Sequence, residues 1–298
     1  MRLWTHDRFT FPLPEGHKFP LPKYRLLRER LEAGGGVEVH EPDPIAWADL
    51  ARAHDPAWLE RVRLGRLTRR EELGLGLPWS PQLVERARRA THGTVLAAGH
   101  ALDVGCAMNL GGGTHHAGPD WGRGFCLVND VVVATHAWRV AGRIERVLVV
   151  DLDVHQGDGT AALLGPDPAA FTVSLHGARN YPFTRIPSDL DVDLPNGTGD
   201  DAYLEALDAA LDRALAEPAF DLAFLLAGAD PWEGDRLGKL ALTKAGLRAR
   251  DERAIGRLRG AGLPVCVVLA GGYAEDVRDT VDINAATAAV VRAHAAGA

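Results

Sequence analysis

The run RVLVVDLDVHQGDG, residues 146–159, constrains the fold of this chain more than any other segment. Its four consecutive apolar residues predict a buried strand. That strand runs directly into Asp151, Asp153 and His155, whose side chains share one face if the chain stays extended. Two carboxylates and one imidazole on a single face are typical of a divalent metal site, because the cation offsets their cost of burial. The segment therefore predicts a metal that serves chemistry.

Short apolar runs alternate with helical stretches along the chain, and this rhythm predicts the fold class. The predicted strands are 37–40, 104–109, 146–153, 170–176, 221–227 and 264–270. The predicted helices are 81–102, 126–141, 200–217, 243–260 and 277–295, and the proline-rich N-terminus is irregular until a helical stretch that starts at Lys23. Alternating strands and helices indicate a parallel sheet with helices on both faces. We expect one α/β domain over residues 1–298, since no repeat or linker interrupts the pattern.

Polar residues and glycines follow four of these strands. The clusters read GGGTHHAG, DLDVHQGDG, AGADPWEGD and AGGY. Ligands of open α/β sheets bind outside the carboxyl ends of the strands. Four such clusters at one edge predict a single functional site there.

Asp153, His155 and Asp230 form the predicted metal shell. Three protein ligands leave coordination positions for water and substrate, which is typical of a catalytic site. Zinc and ferrous iron both suit one imidazole with two carboxylates, so the identity of the metal stays open. Considered alone, Asp230 would equally suit a helix N-cap before Pro231.

His115 and His116 follow three glycines and form the predicted proton-transfer pair, although adjacent histidines can also be metal ligands. Asp151 and Asp158 are available to orient one imidazole each, which tunes it to exchange protons near neutral pH. Tyr273 follows two glycines at the end of another strand, where its phenol can donate a hydrogen bond to an oxyanion. Amide hydrolysis requires this combination, because water must lose a proton and the amine must gain one.

Composition and charge limit the classes of partner that we expect for this protein. The formal net charge of −7 argues against nucleic-acid binding, and arginines such as Arg86, Arg88 and Arg89 are interpreted as a solvated helix face. The N-terminus lacks an apolar leader and no apolar run reaches membrane-spanning length, so we expect a cytoplasmic protein. The three cysteines lie far apart in apolar sequence, which favours reduced, buried thiols.

The motifs together resemble the zinc-dependent histone deacetylase superfamily, which shares its fold with arginases. The matching segments are GGGTHHA, GRGFCLVND, DLDVHQGDG, VSLHG, AGADPWEGDRLGKLALT and LAGGY, in family order between residues 111 and 273. The forms HQGDG and EGDRLGKL are most similar to the class IV branch and its bacterial relatives. The resemblance implies a three-layer α/β/α sandwich around a mostly parallel sheet of about eight strands.

The resemblance also implies a role for each candidate residue. The zinc ligands would be Asp153, His155 and Asp230. The catalytic set would comprise His116 as the main general base and acid, His115 as its electrostatic support, Asp151 and Asp158 as hydrogen-bond acceptors, and Tyr273 as the group that polarises the acyl carbonyl.

Further residues are assigned by the same resemblance to the substrate and to a second cation. Gly124 and Phe125 would form one wall of an acyl-lysine tunnel, with Tyr181 opposite and Leu237 at the rim. A monovalent cation, usually potassium, would be surrounded by Asp151, Asp153, His155, Ser174 and Leu175, largely through backbone oxygens.

The sequence thus predicts a metal-dependent hydrolase that removes acetyl or longer acyl groups from N-acyl-lysine or related N-acylated amines. The alternatives are an acetylpolyamine or small-amide amidohydrolase, and an inactive module that binds acyl-lysine. Arginase-like chemistry is disfavoured, since two bridged manganese ions require more carboxylate ligands. Asp230 and Asp235 are spaced as DxxxxD and do not form a close DxD pair. Oligomeric state cannot be read from the sequence.

Overall fold

The centre of the molecule is one eight-stranded sheet in which every strand pairing is parallel; the computed structural model describes residues 1–295. The strands are β1 (Arg2–Trp4), β2 (Glu38–His40), β3 (Cys106–Asn109), β4 (Val147–Asp151), β5 (Ala170–Gly177), β6 (Leu190–Leu194), β7 (Leu222–Leu226) and β8 (Val265–Val268). Their order across the sheet is β2-β1-β3-β8-β7-β4-β5-β6.

Ten helices accompany the sheet within the described residues. They are α1 (Pro22–Gly34), α2 (Trp47–Leu50), α3 (Pro56–Leu64), α4 (Arg69–Leu75), α5 (Pro81–Val104), α6 (Asp130–Val140), α7 (Asp158–Leu164), α8 (Asp200–Leu215), α9 (Lys244–Gly260) and α10 (Val277–His294). Local capping explains several starts. The Ser80 side chain accepts from the backbone N–H of Leu83 before α5, and Asn129 accepts from Val132 before α6.

Helices cover both faces of the sheet, and the strands alternate between two apolar layers. Leu148 and Val150 of β4 pack in the layer that contains side chains of α1, α8, α9 and α10. Val147 and Val149 pack in the opposite layer, with side chains of α5, α6 and α7. Each fully buried valine or leucine contributes roughly 1.5–3 kcal/mol. The predicted α/β/α sandwich is therefore confirmed, and α2–α4 add a third apolar cluster outside α5 and α6.

Two strands, β1 and β6, were not predicted, and β3, β4, β7 and β8 are shorter than predicted. β1 lies in the N-terminal segment that was predicted to be irregular, and β6, with the sequence LDVDL, pairs at the edge beside β5. A three-residue strand shows no periodicity of its own, so its pairing with neighbouring strands decides its conformation. β4 ends at Asp151 rather than at residue 153.

The arginines of α5 do not form the predicted solvated face. Arg86 is 4% exposed and donates to backbone carbonyls of the N-terminal segment. Arg88 and Arg89 donate to the carbonyls of Ile45 and Pro42. Irregular backbone leaves carbonyls without partners, and the five donors of a guanidinium can satisfy them. These arginines therefore attach the N-terminal segment to α5.

Three further predictions concern the chain as a whole. Its cysteines, Cys106, Cys126 and Cys266, are buried and free, which confirms reduced thiols. No helix within residues 1–295 is both long and apolar enough to cross a membrane, and the cytoplasmic location stays a prediction. The assignment of residues 1–298 to one catalytic domain also stays a prediction, and its last three residues lie outside the described ones.

Candidate active site

The loops after β3, β4, β7 and β8 meet at the carboxyl edge of the sheet, because these four strands are direct neighbours in it. Within this group lie Asp153, His155 and Asp230, each with one ligand atom within 4.8 Å of the others. The Nδ1 atom of His155 lies 2.9 Å from Asp153 Oδ1 and 3.2 Å from Asp230 Oδ2. The structure therefore brings the three predicted metal ligands together.

Backbone turns after β4, rather than an extended strand, position two of these ligands. The Asp151 carboxylate accepts from the backbone N–H of Asp153 at 3.1 Å, and Asp153 accepts from His155 at 2.9 Å. Carboxylates that bond the backbone two residues ahead form Asx turns, which draw the chain away from the sheet. The predicted alternation along one extended strand is wrong from residue 152 onward. The side chains converge because of the turns.

The donor set fits a divalent cation. Asp153 and Asp230 are buried. In addition to the bond from His155, Asp153 accepts from the backbone N–H of Gly271 at 2.6 Å, and Asp230 accepts from that of Val154 at 3.0 Å. Among the described residues, Asp230 Oδ2 is buried without a hydrogen-bond donor. Burial alone would lower the pKa of His155, but the neighbouring carboxylates of Asp153 and Asp230 raise it to about 10. Two buried carboxylates thus favour a positive charge at this point.

Gly271 is required by close approach to this site. A Cβ atom at residue 271 would lie 1.8 Å from Asp230 Oδ2, so no larger residue fits without moving the carboxylate. The glycine of AGGY therefore allows the loop after β8 to close the site against the loop after β7.

His115 and His116 lie beside the three converging residues, each bonded to a carboxylate. His115 Nδ1 lies 2.6 Å from Asp151 Oδ2, and His116 Nδ1 lies 2.6 Å from Asp158 Oδ1. Both imidazoles are buried, with ring centroids 4.1 Å apart. Because each Nδ1 is engaged, each ring has only Nε2 left for another partner.

The two imidazoles have opposite electrostatic environments. Burial would lower the pKa of His115, but the charges of Asp151 and Asp153 raise it to about 9. Burial and the neighbouring His115 lower the pKa of His116 to about 4, despite its bond to Asp158. The arrangement keeps His116 as a neutral imidazole, which can accept a proton.

A strained turn places Gly124 and Phe125 against His116. Both residues have positive φ, 55° and 69°, and Phe125 is the one non-glycine residue with positive φ in the described chain. Their backbone N–H groups donate to carbonyls at residues 74 and 75, which hold the turn against the end of α4. A Cβ atom at residue 124 would lie 2.4 Å from His116 Cδ2. The strain persists because the surrounding contacts enforce it.

The four predicted substrate residues line one chamber. Gly124, Phe125, Tyr181 and Leu237 surround a space of about 460 Å³, together with His116, His155 and Tyr273. The Phe125 ring lies 5.8 Å from that of Tyr273, and the Tyr181 ring meets His116 edge-on at 5.0 Å. Burial, with the charges of Asp153 and Asp230, raises the pKa of Tyr273 well above its usual value. Tyr273 therefore keeps its proton and can donate it in a hydrogen bond.

The residues assigned to a monovalent cation lie together behind this site. Asp151 of β4 and Ser174 of β5 are partners in the sheet register, and both are buried beside Leu175. The monovalent cation itself stays a prediction.

Several residues around the site were given no role there by the sequence analysis. Arg123 pairs with Asp158, the acceptor of His116. Asp235 accepts from the backbone N–H of Tyr273 at 2.5 Å through one oxygen, and from Leu237 at 2.8 Å through the other. Asp235 therefore joins Leu237 to the loop that carries Tyr273. Its DxxxxD spacing from Asp230 was the one available signal.

Arg250 of α9 is another residue that was missed. It is fully buried, and its Nη1 donates to the carbonyls of Leu152 at 3.2 Å and Gly228 at 2.7 Å. These residues precede Asp153 and Asp230. Nothing in the local sequence separates Arg250 from the exposed arginines of the same helix.

A smaller chamber of about 90 Å³ adjoins the site on the side of the N-terminal segment. The residues that line this chamber include His115, Asp153 and Tyr273 of the site. They also include two buried cations, Lys23 of α1 and Arg86 of α5. The Lys23 ammonium donates to the carbonyl of residue 270 at 3.2 Å. No local pattern indicates that either cation reaches the site, since both lie in ordinary helical sequence.

Comparisons with known proteins agree with this geometry. The profile of the Histone deacetylase domain family matches residues 17–290. The chain is 43% identical to an uncharacterized protein of Picosynechococcus sp. over 93% of each chain. It is 32% identical to Histone deacetylase 2 of Arabidopsis thaliana, over 86% of this chain and 70% of that protein. It is 30% identical to the Histone deacetylase-like amidohydrolase of Pseudomonas aeruginosa, over 89% of this chain and 74% of that protein.

Solved structures show the same fold. The acetylpolyamine aminohydrolase of Burkholderia pseudomallei superposes with a TM-score of 0.82 at 23% identity, covering 98% of this chain and 99% of that one. The HDA15 HD domain superposes with the same TM-score and identity, covering 98% of this chain and 91% of that domain.

Proposed function

Because the chain belongs to the histone deacetylase family, we propose that it is a metal-dependent hydrolase that removes acyl groups from N-acyl-lysine or a related N-acylated amine. The observation that carries this proposal is the convergence of Asp153, His155 and Asp230 beside a buried, carboxylate-bound histidine pair. Deacetylases and amidohydrolases share the hydrolysis of an amide, and this arrangement supplies a cation site with a neighbouring base.

Asp153, His155 and Asp230 would hold one divalent cation, for which we propose zinc, with ferrous iron as the alternative that the same donors suit. Such a cation supplies Lewis-acid chemistry, which polarises the acyl carbonyl and makes water more acidic. Potassium is proposed for the second site, near Asp151 and Ser174.

His116 acts as the general base and then as the general acid. Its Nδ1 is held by Asp158 at 2.6 Å, so Nε2 is the atom that accepts a proton from the attacking water. The water oxygen bonds to the acyl carbon, and Tyr273 donates a hydrogen bond to the oxyanion that forms. The C–N bond then breaks as His116 returns the proton to the amine. His115, held by Asp151, supports the pair, and the products are a carboxylic acid and a free amine.

The chamber favours an unbranched amine chain. Phe125, Tyr181 and Leu237 all line it, so apolar contacts would surround the methylenes of a lysine side chain. The carbonyl would then lie between His116 and Tyr273, which line the same space.

Purified protein loaded with zinc should release acetate or a longer acid from a panel of acyl-lysine peptides, acylpolyamines and small amides. Tyr273→Phe should lower kcat by roughly 10²–10³-fold, since it removes one oxyanion donor. His116→Ala should lower kcat by roughly 10²–10⁴-fold. Metal content of each variant serves as the control. Metal-loaded protein with no turnover on any substrate would leave only the acyl-lysine-binding module.

A further inference from the structure

The entrance of the chamber is positively charged. Among the described residues that line it, Arg179 and Lys239 are charged and exposed, and none carries a carboxylate. These residues come from two loops, one after β5 and one after β7. Both cations line the chamber that a substrate would enter.

The two loops are joined into one rim. The Lys239 ammonium donates to the backbone carbonyl of Arg179 at 2.7 Å, and the Asn180 amide donates to the carbonyl of Leu237 at 2.8 Å. Within residues 1–295, neither Arg179 nor Lys239 has a carboxylate partner, whereas Arg185 farther along the first loop is paired with Asp193. Asp235 lies in the same rim, but its carboxylate accepts from backbone N–H groups, including those of Leu237 and Tyr273, and is not paired with either cation.

Exposed apolar side chains lie on the same rim. Phe183 is 85% exposed and Leu73 is 64% exposed, and these are two of the four large apolar side chains that the described chain leaves most exposed. Both line the chamber. Apolar surface concentrated at an entrance marks a contact site for the part of the ligand that stays outside.

From these charges and contacts we infer that the enzyme selects acyl-lysine peptides with acidic residues next to the acyl-lysine. The inference rests on the proposed function and narrows its substrate class. Carboxylates beside the acyl-lysine reach Arg179 and Lys239, while the peptide backbone and apolar side chains contact Phe183 and Leu73. An acylpolyamine has its remaining ammonium groups in that position, where the two cations repel them.

The test compares three acyl-lysine peptides of equal length and apolar content, whose neighbouring residues are aspartate, asparagine or lysine. For each peptide we measure kcat/KM, and we measure affinity by fluorescence anisotropy. An acylpolyamine with the same acyl group is assayed in parallel for kcat/KM. The aspartate peptide should exceed the lysine peptide by about tenfold in kcat/KM and in affinity, as two exposed ion pairs allow. The preference should shrink between about 0.01 M and 0.15 M salt, as the Debye length falls from about 30 Å to about 8 Å.

The double variant Arg179→Gln/Lys239→Gln should bring the ratio of kcat/KM for the aspartate peptide to kcat/KM for the lysine peptide close to one, and likewise the ratio of their affinities. The matched control is Arg2→Gln/Arg143→Gln, which removes two exposed charges at the amino ends of β1 and β4. It should keep the preference. Equal rates and equal affinities for the three peptides, or a preference for the acylpolyamine, would overturn the inference and leave the hydrolase intact. Absence of turnover on every substrate counts against the proposed function, and the affinities then decide the inference.

Discussion

Replacing Arg250 with methionine should weaken metal binding without altering any of the three proposed ligands. Arg250 Nη1 bonds the carbonyls of Leu152 and Gly228, and its Nε donates to Asp251 at 2.9 Å. One buried guanidinium therefore ties the loop that carries Asp153 to the loop that carries Asp230. Methionine keeps much of the volume but none of these donors.

The expected magnitude follows from the groups left without a partner. Each buried carbonyl without a donor costs about 1–3 kcal/mol. Breaking a buried ion pair from one side costs about 3–5 kcal/mol, and Asp251 would keep one donor, the Thr287 hydroxyl at 2.6 Å. These costs overlap, since all the bonds share one guanidinium. We expect the free energy of unfolding to fall by about 3–5 kcal/mol in total.

The assay is urea denaturation of wild type and Arg250→Met, with zinc titrated by calorimetry under conditions where both are folded. Zinc affinity should fall by about 10–100-fold, as for other residues that orient metal ligands. Arg250→Lys keeps the charge but cannot reach both carbonyls, and it should give an intermediate loss. Arg253→Met, at an exposed position of the same helix, should change stability by less than about 0.5 kcal/mol. A folded Arg250→Met protein with wild-type stability and zinc affinity would refute the reasoning.

Three further predictions concern other parts of the site. Gly124→Ala should reduce kcat/KM by at least about tenfold, because positive φ costs about 1–2 kcal/mol and the new Cβ meets His116, whereas Gly142→Ala, with φ 67° and no atom within 4 Å, should cost stability but not activity. Asp230→Asn should abolish zinc binding by calorimetry, because the amide cannot replace the anionic oxygen; undiminished affinity would count against the metal site. His54 is buried, donates to the Gly118 carbonyl at 2.8 Å and accepts from the backbone N–H of Asn129, and its pKa is lowered from 6.5 to about 4. Between these two pKa values the unfolded state therefore binds more protons than the folded state. The contribution of neutral His54 to the free energy of unfolding is fully present above pH 6.5, and about 3 kcal/mol of it is lost as the pH falls toward 4. His54→Gln should flatten this part of the stability profile, and parallel profiles would contradict the assignment.

Much of the fold could be read from the sequence, since the relevant patterns are local. Runs of apolar residues such as VLVV of β4 predict buried strands, and glycines with polar residues after four strands predict one functional edge. β1 could not be predicted, because a three-residue strand depends on the neighbours that pair with it. β6 was missed although its sequence LDVDL alternates apolar and acidic residues, a pattern typical of a half-buried strand. The turns that end β4 at Asp151 were also missed, since they depend on which N–H groups the carboxylates accept.

The identities of the candidate ligands followed from the sequence alone, because a cation requires anionic oxygens and imidazole wherever they lie. Tertiary structure decided which of them meet. It placed Asp230 3.2 Å from His155, 75 positions earlier in the chain, and it buried Arg250 between the two loops that carry these residues. It also placed Arg179 beside Lys239 at the entrance. No periodicity encodes such contacts between distant segments, because packing of the helices on the sheet brings those segments together.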